Sequence, residues 1–232
     1  MHLFYNPQEQ GEQFYLEEQE SKHAIRVLRL ARGDKVIVVD GRGGWYEASI
    51  ADDHPKRCIL KIENSIQAYQ PLPYSLHLAV APTKNLDRFE WFLEKATEIG
   101  ISEITPLICR RSERRQLKME RMEKILVSAM KQSLKAYKPT LNKPTNFEEF
   151  LGAARKGSLG IAHCYPQERR SINDLERSGN YTFMIGPEGD FTEEEISGAL
   201  QSGYVPFHLG KSRLRTETAA IHITSAISLR HL

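Results

Sequence analysis

The sequence predicts an α/β protein, a parallel sheet with helices on both faces, preceded by a small β-rich domain. Three observations carry this. Beyond about residue 75, strand-like apolar runs alternate with stretches of helical period. Before about residue 68, short runs of alternating hydrophobicity are bounded by turn residues. Between the two lies Tyr69-Gln70-Pro71-Leu72-Pro73, whose prolines disfavour regular structure. The expected domains are residues 1–70 and 71–232.

In the first region, Lys35 to Val39 and Trp45 to Ile50 read as strands joined through the turn sequence Asp40-Gly41-Arg42-Gly43-Gly44. Ser21 to Leu30 places Lys22, Arg26 and Arg29 at helical spacing with Ile25 and Leu28 facing inward. In the second region Ser75 to Ala81 alternates as a strand. Asp87 to Ile99 then sets Phe89, Phe92, Leu93, Ala96 and Ile99 on one helical face, and Gly100 stops the helix. Ile104 to Ile108 is the next strand. Met122, Ile125, Leu126, Ala129, Met130, Ser133 and Tyr137 keep a 3.6 period in one long helix that Pro139 ends. A helix from about Phe147 to Ala154, strands at Leu159 to Cys164, Tyr181 to Ile185 and Val205 to Leu209, and a closing helix from about Glu217 to Leu229 complete the pattern.

No apolar run approaches the roughly 20 residues a membrane span needs, so no membrane association is expected. The acidic start, MHLFYNPQEQGEQFYLEEQE, carries no export signal, and a cytoplasmic location is expected by default. Cys58, Cys109 and Cys164 are odd in number and far apart, which argues for neither disulfides nor a metal site. The net charge of +2 conceals a local excess: Arg110 to Lys143 holds eleven Lys or Arg against three Glu. Such a stretch is an electrostatic footprint for a polyanion. Arg121, Lys124, Lys131, Lys135 and Lys138 recur on the face of the long helix opposite its apolar stripe, and Arg110, Arg111, Arg114 and Arg115 extend the basic surface towards RNA binding. Arg26 and Arg29 of the small domain are candidates for phosphate contact.

Two strand-to-helix turns carry the candidate chemistry. Met184 to Glu195 runs through Gly186-Pro187-Glu188-Gly189, and Thr192 with Glu195 matches the S/T-x-x-E capping box. Its glycines let a ligand approach the main chain, and a loop at the C-terminal edge of a parallel strand is where ligands bind. Three consecutive glutamates at the helix start disfavour a phosphate there, so a neutral or cationic ligand fits better. The second turn is Leu209-Gly210-Lys211-Ser212-Arg213-Leu214-Arg215-Thr216-Glu217-Thr218-Ala219, where Thr216 or Thr218 can cap the following helix. Arg215 offers a fixed fork of donors to an anion or to carbonyl oxygens. No G-x-G-x-x-G, P-loop, H-E-x-x-H or G-x-S-x-G motif is present, which removes support for dinucleotide redox, nucleotide hydrolysis and triad chemistry.

With these residues in view, the chain resembles the small-subunit ribosomal RNA uridine-N3 methyltransferases of the SPOUT superfamily. The likeness runs through His23 to Arg29 with Gly33-Asp34, then Lys84, Arg88, Glu90, Lys95, Glu98 and Gly100, then Arg110 to Ser112, Gln132 and Pro139. It ends on the Ile185 to Gly189 loop and the Leu209 to Ala219 stretch. Around Gln132 this chain departs from those relatives, having Lys131 and Lys135 where they carry an acidic residue and an arginine. The resemblance implies a PUA-like β-barrel over 1–70 and a SPOUT α/β domain with a C-terminal trefoil knot over 71–232, assembled as a homodimer. It implies S-adenosylmethionine held by Ile185, Gly186, Pro187, Gly189, Leu209, Gly210, Leu214, Thr218 and Ala219, with no metal. The implied substrate is 16S ribosomal RNA, within the assembled small subunit, gripped by Arg26, Arg29, Lys84, Arg88, Arg110, Arg111, Lys131 and Lys135. Arg215 would face a uracil oxygen, and Glu217 is a candidate base. A ribose 2′-hydroxyl acceptor is the nearest alternative, and a non-catalytic RNA-binding assembly factor is the second.

Overall fold

The computed structural model describes residues 2–8, 11 and 13–232. The chain divides into two compact units: Met1–Pro71 with Met130–Lys138, and Leu72–Ala129 with Pro139–Leu232.

The first unit is a five-stranded sheet in the order β1-β3-β4-β5-β2, with β1 Leu3–Tyr5, β2 Gln13–Tyr15, β3 Lys35–Val39, β4 Trp45–Asp52 and β5 Ile59–Ile66. Strand β1 pairs parallel with β3, and the remaining pairs are antiparallel. Strands β3 and β4 were legible because alternate residues such as Val36, Val38, Ala48 and Ile50 turn inward. They meet Phe4, Phe14, Ala24 and Leu60 in one core. The helix expected over Ser21 to Leu30 is corrected. Only Glu18–Lys22 (α1) is α-helical, and His23–Val27 continues as a π-helical turn closed by the Leu28 N–H donating to the His23 carbonyl at 2.9 Å. Arg29 then takes φ 56°, which breaks the helical spacing of Lys22, Arg26 and Arg29.

The long helix is also shorter than its period suggests. Helix α3, Met119–Gln132, stops five residues before Tyr137. Leu134 enters the left-handed region at φ 55°, and the Lys135 N–H donates back to the Met130 carbonyl at 3.1 Å. Met130 and Ala136 pack with Leu3, Val39 and Trp45, and Tyr137 forms a β-bridge with Arg42. The apolar period thus continues past the helix end because extended residues there face a core too.

The second unit is a parallel sheet ordered β11-β13-β10-β12-β6-β7-β8, with β9 beside β7. Its strands are β6 Ser75–Val80, β7 Glu103–Ile108, β8 Thr140–Leu141, β9 Thr145–Asn146, β10 Ser158–Ala162, β11 Arg170–Ser171, β12 Asn180–Ile185 and β13 Val205–His208. The central strands are mostly apolar, as burial on both faces favours, with His77, Thr105 and Thr182 as buried polar exceptions. Helix α2, Leu86–Ile99, is capped by the Asn85 side chain accepting from the Asp87 N–H at 3.0 Å, and it ends at Gly100, φ 135°. The remaining helices are α4 Phe147–Gly152, α5 Glu193–Gln201 and α6 Thr216–Arg230. The α6 stripe Ala220, Ile223 and Ile227 is fully buried with Phe89, Phe92 and Leu78 in this unit's own core. It is therefore not left over for a second subunit. Among the described residues no helix is long and apolar enough to cross a membrane.

Candidate functional site

Three loops leave the C-terminal ends of adjacent strands β12, β10 and β13, and they converge on one cavity of about 300 Å³. The first follows β12. Its turn is closed by the Asp190 N–H donating to the Pro187 carbonyl at 2.9 Å, with Asp190 itself at φ 62°. Asp190 Oδ2 accepts from the Cys164 N–H and Oδ1 from the Phe191 N–H, each at 2.8 Å, so one carboxylate fixes two loops. The expected capping box at Thr192 and Glu195 is present in full. Buried Glu195 also accepts from the Arg110 N–H at 2.8 Å, which positions the segment after β7.

The second loop follows β13 and turns at Gly210, φ 113°, into α6. The caps expected there are corrected: Arg215 occupies the cap position, and neither Thr216 nor Thr218 caps the helix. The buried Thr216 hydroxyl instead donates to the Gly186 carbonyl at 3.0 Å and ties the two glycine loops together.

The cavity wall holds Ile185, Gly186, Pro187, Leu209, Gly210, Leu214, Arg215 and Ala219 of the expected residues. Gly189 lines a neighbouring depression, and exposed Thr218 does not line the cavity. Glu217 is buried behind it, with Oε1 3.8 Å from Arg88 Nε. The third loop, after β10, was missed by the sequence reading. It supplies Ala162, His163 and Cys164, and no motif announces it because only the strand order brings β10 between β12 and β13. Burial lowers the pKa of His163 from its ordinary value, with Arg169 reinforcing and Asp190 opposing, and its ring nitrogens have no hydrogen-bond partner among the described residues. It is a neutral imidazole near pH 7.

The cations expected to bind RNA are distributed differently. In the second unit, Lys84 Nζ lies 2.9 Å from Glu113, and Arg110 Nη1 lies 3.5 Å from Glu194. Arg111 Nη1 donates to the Gly189 carbonyl at 2.8 Å and to Tyr165 Oη at 3.2 Å. In the first unit Lys131 Nζ sits 2.8 Å from Glu20, Lys135 is half-buried with its pKa lowered by burial, and Arg26 and Arg29 are exposed. The expected single basic helix face is corrected: Lys135 and Lys138 lie beyond the helix end, and Arg121 Nε pairs with Glu90 at 2.6 Å. Among the described residues no cluster of three His, Cys, Asp or Glu could hold a metal ion.

A family model described as an RNA methyltransferase domain matches residues 70–228, and one described as an RNA methyltransferase PUA domain matches residues 16–63. The chain is 26% identical over 231 residues to a protein of Aquifex aeolicus named ribosomal RNA small subunit methyltransferase E, covering 98% of this chain and 99% of that one. It is 31% identical to the protein of the same name from Synechocystis, covering 84% of this chain and spanning 65% of that longer relative. The crystal structure of a ribosomal RNA small subunit methyltransferase E from Neisseria gonorrhoeae, bound to S-adenosyl methionine, superposes with a TM-score of 0.90 at 27% identity, covering 99% of this chain and 98% of that one.

Proposed function

The chain belongs to the RNA methyltransferase family, in its ribosomal RNA small subunit methyltransferase E branch, and from that premise we propose that it methylates N3 of a uridine in 16S ribosomal RNA using S-adenosylmethionine. The observation that carries the reading is the single cavity on which both glycine loops converge with Arg215 in its wall. The residues present fit the cofactor. Ile185, Phe207, Leu209, Leu214 and Ala219 give apolar walls, and Glu188 and Asp190 share the rim with Arg169, Arg213 and Arg215, so the site offers both signs of charge to a zwitterionic ligand. When bound there, S-adenosylmethionine supplies a methyl group on an electron-poor sulfonium.

The chain's own part is positioning and electrostatics. Gly186 and Gly210 expose main chain to the ligand, and Thr216 holds their loops in register. Arg215 directs donors to a uracil oxygen, stabilising the negative charge that develops as N3 gives up its proton to solvent water. Glu217, buried against Arg88, acts as a positioning residue for the start of α6. The substrate is the assembled small subunit, and the knotted path of the superfamily goes with this reading. Its support is the strand order, in which consecutive strands β12 and β13 flank β10 on opposite sides. The homodimer belongs here as well, supported by Trp91, Leu229 and Leu232, large apolar side chains left exposed.

Incubating the protein with S-adenosylmethionine and small subunits lacking the modification, followed by nucleoside mass spectrometry, should yield 3-methyluridine. A ribose-methylated product, or none, overturns the assignment. Sedimentation as a monomer removes the dimer.

A further inference from the structure

The basic residues around the cofactor cavity differ from those named above in one respect. Lys84, Arg110 and Arg121 each lie within 4.0 Å of a carboxylate, so an arriving phosphate would compete with a partner already in place. Lys211, Arg213 and Arg215 are exposed and have no carboxylate partner among the described residues. Among the described residues Arg169 donates to the His163 carbonyl alone. Counterion release on binding a polyanion comes from cations that carry counterions, not from those neutralised internally.

Arg169, Lys211 and Arg213 gather around a second depression of about 560 Å³. It is continuous with the cofactor cavity, sharing Cys164, Arg169, Asp190, Gly210, Ser212 and Arg213 with it. Among the described residues its one carboxylate is Asp190, which already accepts two backbone N–H groups. Tyr165 also lines the depression, half-buried, and its hydroxyl accepts from Arg111 Nη1 at 3.2 Å. Arg111 is itself fixed to the Gly189 and Phe191 carbonyls at 2.8 and 3.2 Å. An aromatic ring is thereby held in place beside three cations and next to the methyl-donor cavity. Aromatic faces with flanking cations suit single-stranded RNA, whose bases stack while its phosphates pair.

We propose that this depression cradles the nucleotides flanking the target uridine, with Tyr165 stacking a neighbouring base and Arg169, Lys211 and Arg213 holding phosphates. The proposal rests on the RNA methyltransferase reading and adds where the strand lies.

The test measures binding to small ribosomal subunits lacking the modification across a salt series, with S-adenosylmethionine affinity followed in parallel by calorimetry. Lys211→Ala with Arg213→Ala should reduce the slope of log affinity against log salt by about 1.4, two contacts at roughly 0.7 each. Tyr165→Leu should weaken RNA binding roughly 5- to 100-fold, whereas Tyr165→Phe, which keeps the ring, should lose little. Lys35→Ala with Lys95→Ala removes two charges from internal pairs and should leave the slope unchanged. Wild-type RNA affinity and slope in the Lys211/Arg213 variant, with cofactor binding intact, overturn the cradle while leaving the methyltransferase reading standing. Equal slope losses in the Lys35/Lys95 variant overturn it too, by showing a diffuse charge effect. A wild-type protein that binds the cofactor but neither binds nor methylates the unmodified subunits overturns both.

Discussion

The two glycine loops look alike in sequence, yet the structure uses their glycines for opposite reasons. At Gly186 the backbone is ordinary but space is short: a Cβ there would meet the Phe191 ring at 3.1 Å and its backbone nitrogen at 3.2 Å. At Gly210 space is open, with nothing within 4 Å of a Cβ, but φ is +113°, a conformation L side chains rarely adopt. One glycine is needed for packing and the other for the path of the chain. A loop can therefore be read as glycine-dependent from sequence without revealing what the glycine does. The mutational consequences separate accordingly.

The largest effect is expected at Gly210. Gly210→Val places a β-branched residue in a conformation that costs about 1–3 kcal/mol, which the loop relieves by moving away from the cavity. Calorimetry should find S-adenosylmethionine binding abolished while the melting temperature changes little, because the loop is open to solvent. Unaltered affinity would mean that the path of this loop is irrelevant to the ligand. Arg215→Ala comes next. Arg215 is exposed on the cavity wall beyond the second loop. Its loss should lower kcat by about 10²–10³-fold, the scale of one transition-state donor, with cofactor affinity nearly unchanged. Equal losses in both would move Arg215 from the uracil to the cofactor.

How much of this was legible follows from where the information lies. The strands β6, β7, β10, β12 and β13 and the helix α2 announce themselves because period and burial agree along a continuous segment. The two glycine loops were legible because a tight turn restricts residue type. His163 and Cys164 were not, since their place at the cavity depends on non-consecutive strands lying side by side. The end of α3 was misread for a physical reason: Ala136 and Tyr137 are apolar at helical spacing but face the first unit's core from a non-helical segment. The short strands β1, β2 and β5 escaped because β2 offers one buried residue, Phe14, and most of β5 is exposed. Charge runs conceal their own pairing. The sequence counts cations, whereas the carboxylates that neutralise Arg121 and Lys131 come from Glu90 and Glu20, remote along the chain.

A middle effect is expected at Gly186. Gly186→Ala adds one methyl against Phe191, which is fully buried and has no free direction in which to move. Overpacking of this kind costs about 1–3 kcal/mol, so here stability should fall in a thermal melt, and cofactor affinity should fall less steeply than for Gly210→Val. The order of the two readouts is thus reversed between the loops. A Gly186→Ala protein with unchanged melting temperature would show that Phe191 shifts freely and would erase the distinction.

The smallest effect is expected at Gly189, which shares a loop with Gly186 but neither of the two constraints. Its φ lies outside the positive region, and a Cβ would meet only the Arg111 side chain, at 3.5 Å, an ordinary van der Waals distance. Gly189 does not line the cofactor cavity, and what it gives the structure is its carbonyl, which accepts from Arg111 Nη1 at 2.8 Å. Alanine keeps that carbonyl. Gly189→Ala should therefore stay within about 0.5 kcal/mol of the parent in stability. S-adenosylmethionine affinity should be unchanged in the same titration that reports Gly210→Val as non-binding. A large loss of cofactor binding would place Gly189 in the cavity after all, and the loop would then be constrained along its whole length rather than at Gly186 alone.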